Sequence, residues 1–149
     1  MAWISEENVA LRVRVDGWED AVRAAGRMLH QCGAVEERYI EAMVETAKEL
    51  GPYIVIAPGI AIPHARPEDG AKDVCFVALQ LEPPVNFGNP DNDPVQLVIA
   101  FSSPDATAHV QMLATLARAI GQEDFIERVS KIQTPKDLTS ILVLPSQGE

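Results

Sequence analysis

Three histidines, His30, His64 and His109, are the side chains most open to chemistry in this sequence. Near neutral pH an imidazole can act as a nucleophile, a base or a hydrogen-bond donor. His30 falls late in a helical pattern, where a partial positive charge is favourable, and reads as a structural residue. His64 stands in the run Pro63-His64-Ala65-Arg66-Pro67, framed by Gly59 and Gly70. Such a rigid turn suits a reactive side chain, although the same residues also describe a solvated turn histidine. Arg66 and Lys72 lie close enough in sequence to pair with a phosphate, or simply to be solvated. His109 falls in the first turns of a predicted helix, where free backbone N–H groups and the helix dipole favour anions. Ser102, Ser103 and Thr107 add hydroxyl donors there, so the segment reads either as a phosphate cradle or as a surface histidine with capping hydroxyls.

The elements that must position these residues follow from periodicity. Val9 to Val15 alternates as a half-buried strand. Asp16, with Glu19 three residues on, reads as an N-cap, and Trp18, Val22, Ala25, Leu29 and Cys32 recur at helical spacing until Gly33. A second helix is predicted from Glu36 to Leu50, stopped by Gly51 and Pro52. Two short apolar segments, Tyr53 to Ala57 and Ile60 to Ile62, flank Pro58-Gly59 and deliver His64 to its turn. Asp73 to Leu81 and Val95 to Ser102 read as central strands covered on both faces. The polar, proline-rich stretch between them, residues 82–94, is expected to be a long loop with a functional surface.

A helix is predicted after Asp105, burying Val110, Leu113, Leu116, Ala117 and Ile120 and stopping at Gly121. Short helices follow at Glu123–Ile132 and Pro135–Val143, the latter capped by Thr134 with Asp137 at its third position. Strands interleaved with helices imply an α/β three-layer sandwich, a mixed central sheet with helices on both faces.

At 149 residues and 47% hydrophobic, the chain is expected to form a single domain over residues 1–149. Its apolar runs fall short of the ~20 residues of a membrane span. Its first residues do not read as a secretory signal, so no membrane insertion and a cytoplasmic address are expected. The two cysteines, Cys32 and Cys75, read as buried and reduced, with no spacing that suggests a metal site. A formal charge of −10 argues against nucleic acid as a partner and is compatible with docking a basic protein surface.

The run from Gly51 to Gly70, with Gly51-Pro52-Tyr53 before the strand and Pro63-His64-Ala65-Arg66-Pro67-Glu68-Asp69-Gly70 after it, resembles the active-site signature of the mannitol and fructose superfamily of enzyme IIA domains. It is most similar to the ascorbate branch. A second block, Asn86 to Pro94 followed by an apolar strand and His109-Val110-Gln111-Met112-Leu113, is similar to the same branch. The two histidines are 45 residues apart, close to that family's interval. The resemblance implies that His64 carries a phosphoryl group on its tele nitrogen and that His109 donates a hydrogen bond to it. Mannitol-type members have an arginine in the second helix that this sequence lacks. Lys48 and Arg66 are the cations considered in its place.

The cycle so implied takes phosphate from phospho-HPr onto His64 and passes it to a cysteine of enzyme IIB, with the membrane enzyme IIC completing an ascorbate-type uptake system. The protein positions groups and stabilises charge, and the cycle calls for no metal, nucleotide or other cofactor. No Gly-x-x-x-x-Gly-Lys phosphate loop is present. The alternative is a regulatory phospho-acceptor of the same fold, less expected for a chain that ends at Glu149 with no transcription-factor domain. A hydrolase or lyase using the two imidazoles as acid and base is a further, weaker alternative.

Overall fold

The computed structural model of the chain describes residues 5–122 and 124–141. Five strands, β1 (Val9–Val13), β2 (Val55–Ala57), β3 (Ile60–Ala61), β4 (Cys75–Val85) and β5 (Val95–Ser102), form one sheet in the order β1-β4-β5-β3-β2. The pairs β1/β4 and β3/β5 are parallel, whereas β4/β5 and β2/β3 are antiparallel, so the sheet is mixed as expected. Helices α1 (Trp18–Gln31) and α2 (Arg38–Leu50) cover one face. Helices α3 (Ala106–Ile120), α4 (Phe125–Val129) and α5 (Pro135–Ile141) supply the apolar side chains of the other.

Alternation along the strands sorts the two cores. Val98 and Ala100 of β5 pack with Ala21, Leu29, Tyr39 and Met43 of α1 and α2. Leu97, Ile99 and Phe101 pack with Leu116, Ile120, Val129 and Leu138. Successive side chains of a strand point to opposite faces, so a run without polar residues is what a doubly covered strand needs. The same alternation runs through β3 and the residues that follow it: Ala61 and Ala65 join the α1–α2 core, and Ile60 and Ile62 join the α3 core. His64 is therefore carried in phase to the α3 face.

Several boundaries differ from the sequence reading for local reasons. Asp16 does not cap α1; Gly17 does, without a side-chain bond, and its carbonyl accepts from the Ala21 N–H. Strand β4 runs on to Val85 through Pro83 and Pro84, where a loop was expected. Its pairing with β1 ends at Leu81, and its register against β5 shifts between Gln80 and Val85, so prolines lacking an N–H are tolerated there. Helix α3 keeps part of the predicted face, with Leu113 packed against the core. Leu116, Ala119 and Ile120 are buried, whereas Val110 is 64% exposed and Ala117 is also exposed. The cap of α5 is as expected: Thr134 Oγ1 accepts from the Asp137 N–H, and the Asp137 carboxylate accepts from the N–H groups of Gln133 and Thr134. Glu123, Leu142 and Val143, which bear on the predicted ends of α4 and α5, lie outside the described residues.

The segment after β4 is folded tightly onto the β2–β3 hairpin. The Asp93 carboxylate accepts three backbone N–H bonds, from Phe87, Gly88 and Asn89, each at 2.9 Å. The Asn89 and Asn92 side-chain amides donate to the Val55 carbonyl, and the Gly59 N–H donates to the Asn92 carbonyl. Gly59 has φ +76°, a conformation that favours glycine at the hairpin turn. The expected functional surface is thus also a clamp on the strand that leads to His64.

Candidate active site

His64 and His109 meet at the C-terminal end of β5. Their ring centroids are 5.3 Å apart and the rings are inclined at 64°. Phe101 lies against both, 5.6 Å from His64 in a stacked arrangement and 5.1 Å from His109. It arrives there because β5 places Phe101 on the α3 face, while only Ser103, Pro104 and Asp105 separate β5 from α3. Phe101 and Tyr39 are site residues that the sequence reading missed, since each reads simply as core.

The His64 Nδ1 lies 3.0 Å from the Ile62 carbonyl oxygen. A carbonyl only accepts, so Nδ1 carries the hydrogen and the neutral tautomer leaves the Nε2 lone pair available. Burial holds the His64 imidazole below the ordinary histidine range, and the bond to Ile62 opposes that shift. Burial likewise lowers His109; the neighbouring His64 adds to the effect and Glu68 opposes it. The His109 Nδ1 is buried with no hydrogen-bond partner. An unpaired buried polar group costs about 1–3 kcal/mol, a cost that a hydrogen-bond partner reaching it would relieve.

Tyr39 fixes the backbone of the turn. Its hydroxyl oxygen accepts from the Ala65 N–H at 3.2 Å, and its O–H points toward the carbonyls of Phe101 at 3.2 Å and Ala65 at 3.3 Å. Burial pushes its phenol up to about 12, so it stays protonated and able to bridge. The turn is tied further by the Arg66 N–H, which donates to the Asp69 carboxylate.

The expected phosphate cradle is corrected in its serines. The Ser102 hydroxyl donates to the Asp73 carbonyl at 2.8 Å, and that of Ser103 to the Asp105 carbonyl at 3.2 Å, so both are committed to the backbone. The Asp105 carboxylate caps α3 through the Ala108 N–H. Thr107 is exposed two residues before His109, about 200° away around the helix. Arg66 is exposed two residues from His64. Lys48 pairs with Glu19 at 3.5 Å and Glu45 at 3.4 Å on the α1–α2 side, which directs its charge to those carboxylates. Ile60 is buried in the α3 core and Phe87 packs on Trp18, with ring centroids 6.2 Å apart. Val110, beside His109, is exposed. Among the described residues, no group of three or more His, Cys, Asp or Glu side chains is placed to hold a metal ion.

The mixed α/β sheet brings two imidazoles together at the C-terminal end of its central strand β5, an arrangement suited to histidine-based group transfer. The profile of the family "Phosphoenolpyruvate-dependent sugar phosphotransferase system, EIIA 2" matches residues 2–143, and the chain belongs to that family. It is a phosphoryl carrier, the EIIA component of such a system. Among its relatives, the ascorbate-specific PTS system EIIA component of Shigella boydii is 31% identical over 137 residues, covering 91% of this chain and 89% of the relative. The crystal structure of IIA mannitol from Escherichia coli is similar with a TM-score of 0.82 at 28% identity, covering 94% and 99% of the two chains. A complex of enzyme IIAMTL with phosphorylated enzyme IIBMTL from Escherichia coli matches with a TM-score of 0.81 at 29% identity, covering 93% and 96%. Among the described residues, no helix is long and apolar enough to cross a membrane.

Proposed function

We propose that His64 Nε2 is the atom that carries the phosphoryl group, accepted from phospho-HPr and passed to a cysteine of enzyme IIB in a cytoplasmic, ascorbate-type system with enzyme IIC in the membrane. The observation that carries this reading is the Nδ1 bond to Ile62, which leaves Nε2 unprotonated in a ring that touches His109. In the forward step the Nε2 lone pair attacks phosphorus as the bond to the donor nitrogen breaks, with the two nitrogens roughly in line. His109 donates to one phosphoryl oxygen, and Arg66 supplies the nearby positive charge. Thr107 contributes through its position at the start of α3 and not through its hydroxyl. Support for the partner comes from the Escherichia coli mannitol complex, and support for the sugar from the ascorbate-specific relatives.

The test is intact-mass spectrometry after incubation with phosphoenolpyruvate, enzyme I and HPr. Wild type should gain one acid-labile phosphate and His64→Ala none, while His109→Ala should acquire it about 10²–10³ times more slowly. No phosphate on wild type would remove the carrier role from His64. Discharge by an ascorbate-system enzyme IIB and not by a mannitol one would support the assigned sugar.

A further inference from the structure

Away from the histidines, two thiols meet that the sequence reading treats separately. Cys32 follows the last turn of α1 and Cys75 opens β4, and their sulfurs are 2.9 Å apart. Cys32 is exposed and Cys75 half-buried, which corrects the expectation that both are buried. The Asn8 amide brackets the pair: its Nδ2 donates to the Cys75 sulfur, and its Oδ1 accepts from the Cys32 thiol, each at 3.8 Å. Cys32 also lines a surface pocket of about 450 Å³ with Ser5, Glu7, Asn8, Met28 and Gln31. Two thiols alone fall short of the four ligands of a structural zinc site, and among the described residues they belong to no larger cluster of metal-ligating side chains.

We propose that Cys32 and Cys75 are a redox-active dithiol that closes reversibly to an intramolecular disulfide when a small-molecule disulfide enters the pocket beside Cys32. In the first step the Cys32 thiolate attacks one sulfur of the oxidant R–S–S–R, forming a mixed disulfide and releasing RS⁻. Cys75 then gives up its proton and attacks the Cys32 sulfur, releasing the second RS⁻. The two released thiolates take up the two protons lost by the cysteines, so one R–S–S–R becomes two R–SH while the two protein thiols become one disulfide. Cys32 is the exposed thiol and the one that lines the pocket, which assigns the first attack to it, and burial, with the neighbouring Cys32, pushes the Cys75 thiol up to about 12. In a reducing compartment such a bond is transient, as a redox sensor requires. The proposal does not rest on the carrier reading.

Its test uses the full chain incubated with excess oxidised glutathione, quenched in acid, alkylated with N-ethylmaleimide under denaturing conditions, and weighed intact and as peptides. Wild type should lose both alkylatable thiols, weigh two hydrogens less and yield a Cys32–Cys75 linked peptide; dithiothreitol should restore both thiols. Cys75→Ser should stop as the glutathione adduct on Cys32, and Cys32→Ser should keep Cys75 free. Two thiols still alkylatable in wild type, a stable adduct that never resolves, or linkage only between chains would each overturn the proposal. The wild-type measurement decides on its own, whatever the folding of the variants.

Discussion

Desolvation lowers both imidazoles of the pair and so favours their neutral forms, opposed at His64 by the bond to Ile62 and at His109 by Glu68. A nucleophilic nitrogen needs that neutrality, and the shift also makes a statement about stability. With His64 lowered in the folded state, the unfolded chain binds protons first as the pH falls below ~6.5, so stability is lost on acidification. The unfolding free energy from urea titration should therefore fall more between pH 7 and pH 5.5 in wild type than in His64→Gln. In the same samples, NMR titration of the ring protons should place both imidazoles below ~6.5. An equal pH dependence in the two proteins would show that His64 is not held neutral by its surroundings. In the sequence, Pro63, Pro67 and the flanking glycines mark a turn and the helix start marks an anion site, but these features left the role of each histidine open, and it was the family resemblance that singled out the pair. Which serine hydroxyls were free was not legible: Ser102 and Ser103 find backbone acceptors only once β4 and α3 are in place.

Among the elements, α2 contributes more to the site than its amphipathic pattern suggests. Tyr39 occupies a buried position of the helix and reads as one more apolar contact, yet its hydroxyl joins the His64 turn to the end of β5. Removing that oxygen in Tyr39→Phe leaves the Ala65 N–H unpaired, and the expected loss of about 1–3 kcal/mol is measurable by urea unfolding at pH 7. The same variant should accept phosphate more slowly under saturating phospho-HPr, since its turn is no longer held against Phe101. Unchanged stability and rate would assign the hydroxyl no positioning role. Strand and helix types were legible from periodicity almost throughout. The facing of α3 was legible only in part, because Val110 and Ala117 fit an apolar stripe, while the residues the fold buries are Leu116, Ala119 and Ile120, with Met112 and Leu113 partly buried.

For the molecule as a whole, the layering of helices on both sides of a mixed sheet followed from the alternation of strand and helix patterns. What sequence spacing could not report was the meeting of distant residues without a shared motif, as with Cys32 and Cys75, which are 43 positions apart. Closing a loop of that length restricts the unfolded chain by about 4 kcal/mol in the chain-entropy account. The oxidised protein should accordingly unfold at higher urea than the reduced protein, and dithiothreitol should abolish the difference.

The strand that delivers His64 imposes a rule on length as well as on composition. Ile60, Ile62 and His64 stand two residues apart and share one face, so a single-residue insertion or deletion between Ile62 and His64 should put the imidazole out of phase with His109. Libraries that vary side chains here can yield altered carriers; libraries that vary chain length by one residue should yield folded proteins with no working site, and only paired insertions restore the phase.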